Sequence, residues 1–104
     1  MKKLTVKDIL IEGKSRLENV GWCQGHDVIF KYNSDPPEII GYCANGCINM
    51  INVDSKLLIK ARNIISQIIF IAHNCDGIAL WNDEKQRTKE EVLDVFDRAI
   101  KSVS

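Results

Sequence analysis

The stretch Ser55-Lys56-Leu57-Leu58-Ile59-Lys60-Ala61-Arg62-Asn63-Ile64-Ile65-Ser66-Gln67-Ile68-Ile69-Phe70-Ile71-Ala72 decides the fold class. Leu57, Leu58, Ala61, Ile64, Ile65, Ile68, Ile69 and Ala72 keep an i, i+1, i+4 rhythm for four turns, the signature of an amphipathic helix. Asp54 or Ser55 caps its start, and Asn74 and Gly77 end it. Phe70 and Ile71 widen the apolar stripe near the end, which predicts an end buried on most sides. This helix is expected to be central.

Three more helices follow from the flanking sequence. The first starts at Thr5, with Asp8 placed as a near capping box, and Val6, Ile9, Leu10, Gly13, Leu17 and Val20 on one stripe. Gly13 weakens that helix unless a neighbour packs closely against it. Gly21 ends it. Before the central helix, Asp35 as cap, Pro36 in the first turn and Glu38 predict a helix carrying Ile39, Ile40, Cys43, Cys47, Met50 and Ile51 on its apolar face. The last helix starts at Thr88, with Glu91 completing a capping box and Val92, Leu93, Phe96, Ala99, Ile100 and Val103 inward. Asp94 with Arg98 and Asp97 with Lys101 are i, i+4 pairs with the acid first. Val28, Phe30 and Tyr32 alternate like a short strand, and Ile78-Ala79-Leu80-Trp81 reads either as its partner or as a buried irregular segment. The expected fold is therefore mainly α, a compact bundle of about four helices with a short two-stranded β element, in one domain spanning residues 1–104.

Composition narrows the function classes. Apolar residues make up 45% and charged residues 27% of the chain, ordinary values for a globular protein. Fourteen basic residues balance fourteen acidic ones, so no net field draws the chain to nucleic acid or anionic lipid. Lys2, Lys3, Lys7, Lys14 and Arg16 read as a solvated helix face. Lys7, Asp8 and Glu12 interrupt any signal-peptide core, and the greasiest run, Ile64 to Ala72, is too short to span a bilayer. The expected compartment is the cytoplasm. In that reducing setting Cys23, Cys43, Cys47 and Cys75 read as free thiols or metal ligands rather than disulfides.

Several polar words stand outside what a helical bundle needs: Trp22-Cys23-Gln24-Gly25, Tyr42-Cys43-Ala44-Asn45-Gly46, and Trp81-Asn82-Asp83 followed by Arg87-Thr88. Tryptophan offers a flat apolar face and one donor, and amides, carboxylates and guanidinium supply polar edges, the mixture found in pockets for small polar ligands. Trp22, Cys23, Gln24, Asn45, Trp81, Asn82, Asp83 and Arg87 are therefore the candidate ligand-binding residues. The alternative is a structural network in which Asn82 and Asp83 bond their own turn and Thr88 only caps a helix. The two tryptophan words are expected to converge at one end of the bundle, with Trp81 partly accessible.

Other chemistries have weaker signals. Cys23 and His26, with Asp83 or Asp27 as orienter, supply the residue types of a cysteine-dependent hydrolase, but no hydrolase signature surrounds them. Cys23, His26, Cys43, Cys47, His73 and Cys75 are metal-ligand types, yet no CxxC occurs, so no metal site is assigned. No GxGxxG or GxxxxGK[ST] loop is present, and no cofactor is implied. Gly41 and Gly46 read as small residues inside the second helix.

Taken together, the words resemble an uncharacterised family of small proteins from actinobacteria and their bacteriophages, a domain of unknown function. Its pattern of Trp-Cys-Gln-Gly, Cys-x-x-Gly-Ala, Trp-Asn-Asp, Arg-Thr and a closing Asp-Arg-Ala matches Trp22–Gly25, Cys43–Gly46, Trp81–Asp83, Arg87-Thr88 and Asp97-Arg98-Ala99. Cys47 stands where the family pattern has Ala, which argues against a metal site that uses Cys47. The resemblance implies no activity. With a composition rich in Ile, Lys and Asn, it suggests an accessory protein of a phage or mobile element. The expected function is non-enzymatic binding in an anti-defence or host-interaction role, on a small polar, nucleotide-like ligand or on a host protein, with no nucleic acid or membrane partner. The alternatives are a Cys23–His26 hydrolase or a zinc-stabilised module. A homo-oligomer is compatible with this reading.

Overall fold

The computed structural model describes residues 3–103. Among these the order is α1 (Val6–Asn19), β1 (Val28–Phe30), β2 (Ile39–Tyr42), α2 (Gly46–Asn49), α3 (Ser55–His73), α4 (Ile78–Asn82) and α5 (Lys89–Ser102). The fold is mainly helical with one short two-stranded antiparallel sheet, in which Val28 faces Tyr42 and Ile29 faces Gly41.

The long helices begin where their caps are written. The Thr5 hydroxyl accepts from the Asp8 N–H while the Asp8 carboxylate accepts from the Thr5 N–H, so the capping box of α1 is complete. Thr88 and Glu91 do the same for α5. Asp54 caps α3 through the Lys56 N–H, and Asn74 closes it in the left-handed conformation. On the surface of α5, Asp94 pairs with Arg98 as the i, i+4 spacing predicts, whereas Asp97 reaches across to Lys14 of α1.

α1 and α3 share the centre, α3 packing against α1, α2, α4 and α5. Ile9, Leu10, Gly13 and Leu17 are buried, and α1 packs against α2, α3 and α5. Gly13 explains the close approach: a methyl group there would lie 3.1 Å from the Phe96 ring and 3.3 Å from Ile48. α3 buries only Ala61, Ile65 and Ile69 fully, and α5 adds Val92, Val95, Phe96 and Ala99. One apolar cluster joins these to Cys47, Ile48 and Trp81. The end of α3 is not enclosed as its sequence suggested. Phe70, Ile71 and Ala72 face outward, because no element among the described residues crosses that side of the helix.

The helix expected from Asp35 does not form. Asp35-Pro36 is a cis peptide within a turn, and Ile39–Tyr42 is the strand β2. β-Branched Ile39 and Ile40 suit a strand, Gly41 disfavours a helix, and Val28-Ile29-Phe30 supplies a partner ladder. Only the single turn Gly46–Asn49 is helical, so Gly41 and Gly46 do not share a helix. Tyr32 lies beyond β1 and is exposed. Ile78–Trp81 does not pair with β1 but belongs to α4. No helix among the described residues is long and apolar enough to cross a membrane.

Candidate functional site

The segment after α1 runs beside β2. The Tyr42 N–H donates to the Gly21 carbonyl, and the Cys23 N–H donates to the Tyr42 carbonyl. Gly21 adopts φ +150°, and any side chain there would strike the Ile40 carbonyl, so glycine is required at this junction. The extended Trp22-Cys23 segment is thereby fixed against β2, facing the C-terminal end of α4.

Asn82, the last residue of α4, joins the pieces. It is fully buried. Its Oδ1 accepts from Trp22 Nε1 at 2.7 Å and from the Ala44 backbone N–H at 3.0 Å. Its Nδ2 donates to the Cys23 carbonyl at 3.1 Å and to Asp83 Oδ1 at 2.9 Å. Both donors and both lone pairs of the amide are used. Around this centre, Gln24 Nε2 donates to the carbonyls of Asn82 and Glu84 at 2.9 and 2.8 Å. The Gly25 N–H donates to Asp83 Oδ1 at 2.9 Å. The two tryptophan words therefore meet, and the Ala44 backbone of the middle word meets them.

Arg87 holds the other side of α4. Its side chain is almost enclosed; Nε donates to the Trp81 carbonyl, and the two terminal nitrogens pair with Glu84 and Glu91 at 2.9 Å each. Its guanidinium carbon lies 4.3 Å from the centre of the Trp81 ring, a cation–π contact. His73 packs on the same indole, with ring centroids 5.1 Å apart. Trp81 is completely buried, which corrects the expectation of a partly accessible ring. The indole fills the space beneath Arg87, and its Nε1 is a buried donor without a partner among the described residues. Trp22 is half-buried, whereas Gln24 and Asp83 keep exposed surface.

Asn45 stands apart from this network, in a shallow depression with Arg62, Asn63 and Leu80. The tight approach at Gly46 explains the rest of the middle word. The backbone of Asp27 crosses it so closely that a methyl group at residue 46 would overlap the Asp27 carbonyl. The Cys43 N–H donates to that same carbonyl, and the Gly46 N–H donates to the Cys43 sulfur at 3.2 Å. Ala44, Asp27 and Glu84 thus belong to the junction although sequence reasoning did not single them out as its members. Glu84 adjoins the Trp-Asn-Asp word and Ala44 lies within the Tyr-Cys-Ala-Asn-Gly word, which were usable signals; that Ala44 takes part through its backbone N–H is something no residue type could show.

Burial holds the three enclosed thiols in the protonated form. Burial pushes the Cys43 thiol up to about 11, and burial also holds Cys47 well above its ordinary value. Cys23 is raised by burial first and by the nearby carboxylates of Asp83 and Asp27 second. Its Sγ donates to the His26 carbonyl at 3.3 Å, a main-chain contact that activates nothing. Among the described residues, no three His, Cys, Asp or Glu side chains gather as a metal-holding group.

A separate groove of about 500 Å³ lies between α1 and residues 51–53. Ile9, Ile11, Ile51 and Val53 give it an apolar lining, and Glu12 and Arg16 stand at it with their charges 3.8 Å apart. Arg16 also lies over the Tyr42 ring at 5.6 Å. This groove was not anticipated, because Ile9 and Ile51 read as inward positions of the first and second helices, and the second of those helices does not form over residues 50–53.

These features define a small, mainly helical domain whose loops are joined by a buried asparagine-centred polar junction. The chain belongs to the family of unknown function DUF6197, whose model matches residues 1–102. No curated protein and no solved structure matches it.

Proposed function

We propose that this protein works by non-enzymatic binding, and that its ligand cleft is the groove between α1 and residues 51–53. The observation that carries this reading is the groove itself. Its volume of about 500 Å³ lies in the range of small-molecule sites, which combine an apolar lining with a few placed polar groups. Ile11 and Ile51 would cover the body of a small ligand, and the Glu12–Arg16 pair would meet a donor and an acceptor on its edge. The tryptophan words support binding indirectly. Their polar atoms bond one another and so hold the scaffold rigid, with only the outer surfaces of Trp22, Gln24 and Asp83 left to meet a ligand. The hydrolase alternative lacks support from the geometry, since the Cys23 thiol is raised and bonded to main chain. The zinc alternative lacks a ligand cluster among the described residues.

The family resemblance and the Ile-, Lys- and Asn-rich composition support an accessory role for a phage or mobile element in a host cytoplasm, as an anti-defence or host-interaction factor. Native mass spectrometry of protein purified from its own host tests the binding reading. The expected result is a bound small-molecule mass that Ile11→Glu abolishes without lowering the melting temperature. A wild-type protein carrying no such mass, or a mass that Ile11→Glu leaves in place, would overturn the groove assignment.

A further inference from the structure

We infer that the outward face of α3 is a self-association surface, on which a second copy of this chain packs with its α3 antiparallel to the first. Opposite the buried Ala61, Ile65 and Ile69, the residues Ile59, Asn63, Ser66 and Phe70 fall at spacings of four, three and four. That is the spacing of a coiled-coil seam on a helix that already uses its other side for the core. Ile59 is 46% exposed, Phe70 56% and Ile71 82%, and Leu80 of α4, beside Asn63 and Ser66, is 67% exposed. Ile59 and Phe70 lie on this seam, with Ile71 and Leu80 flanking it, and together they give an exposed apolar patch of the kind that marks an interaction site.

Charge selects the occupant and its direction. α3 contains no acidic residue; of its cations Lys56, Lys60 and Arg62, the last donates to Asn49 of α2, and the two lysines sit near the N-terminus, the wrong end for the helix's own dipole. Asp76 lies just past the other end, beside Phe70 and Ile71. Among the described residues neither lysine nor Asp76 has an ion-pair partner. A two-fold axis beside the stretch between Asn63 and Ser66 brings Lys56 and Lys60 of each copy to the C-terminal end of the other α3, where Asp76 stands. The same axis sets Ile59 against Phe70, and Asn63 against Ser66 where amide and hydroxyl can bond. The surface is thus complementary to itself, as an isologous dimer requires. The chain's zero net charge opposes no such pairing.

Sedimentation equilibrium of the full chain, from micromolar to millimolar concentration, tests this. The expected result is a reversible dimer that weakens as salt is raised. Phe70→Glu should reduce association at least tenfold with an unchanged melting temperature, and Ile71→Glu serves if Phe70→Glu alters folding. Lys60→Glu should weaken the dimer, and Lys60→Glu combined with Asp76→Lys should restore it. A wild-type chain monomeric throughout, a dimer indifferent to both glutamate variants, or a charge exchange that restores nothing would overturn the proposal. Dimerisation leaves the α1 groove untouched, so this outcome is independent of the ligand test.

Discussion

Asn82 is the residue on which the junction depends. A buried amide with all four bonds made contributes net stability, but removing it leaves its partners stranded. In Asn82→Ala, Trp22 Nε1 and the Ala44 N–H lose their acceptor, and the Cys23 carbonyl loses its donor. The expected loss is about 3 kcal/mol, read as a lower urea midpoint at unchanged slope. Asn82→Asp is nearly isosteric and keeps the acceptor, but it turns a second oxygen toward the Cys23 carbonyl and the Asp83 carboxylate. It should be destabilised at neutral pH and recover in part on acidification, as one carboxyl takes up the missing proton. A urea titration at two pH values separates the variants. Equal stability of Asn82→Asp and wild type at neutral pH would contradict the donor role of Nδ2.

At the scale of elements, α5 carries a pH dependence of its own. The Thr88 N–H, with help from the Thr88 hydroxyl and Arg87, holds the Glu91 carboxyl below its ordinary value of 4.5. A group depressed in the folded state stabilises fully above its unfolded value, and the contribution fades as pH falls through the lower folded value. Glu91→Gln should therefore lower the melting temperature at neutral pH, where the contribution is fully present, and converge on wild type as pH falls, so that its acid limb is flatter; melting temperatures between about pH 2 and 7 would show this. An acid limb identical to wild type would remove Glu91 from the account.

The elements legible in the sequence are those whose signals are local. α1, α3 and α5 announce themselves by caps and stripes, because hydrogen bonds and periodicity within one helix suffice. Residues 35–42 were misread since Asp35, Pro36 and Glu38 imitate a helix start, while the strand that wins depends on a distant partner, Val28 to Phe30. α4 is five residues long, too short for any period to register. Phe70 and Ile71 misled for a different reason. Apolar character tells that a face prefers cover, not whether another part of the same chain supplies it. The polar words were legible as a group that converges, yet the central place of Asn82 was not. Which of many amides sits at the centre is decided by geometry between segments far apart in sequence.

For the molecule as a whole, burial sorts the four thiols. Cys75 is the one that is not buried, although burial and nearby Glu84 raise its pKa somewhat. Cys43 and Cys47 sit within the core, where the thiol form is strongly favoured. Iodoacetamide at pH 8 should label Cys75 first, Cys23 more slowly, and Cys43 and Cys47 only when the protein unfolds, as peptide mapping over time would show. Fast labelling at Cys43 in the native state would mean that the β2–α2 junction opens far more easily than its packing indicates.

The Trp22–Asn82 bond joins residues sixty positions apart, with α2, α3 and both strands lying between them. Closing so long a loop is entropically costly, and the reward comes only once those intervening pieces are already in place. The bond is therefore expected to form after the barrier to folding has been crossed. It then acts as a brake on opening rather than a guide to assembly. In stopped-flow experiments Asn82→Ala should hasten unfolding by most of its stability loss and leave the refolding rate nearly unchanged. A refolding rate that falls instead would mean that the two ends of this chain find each other early.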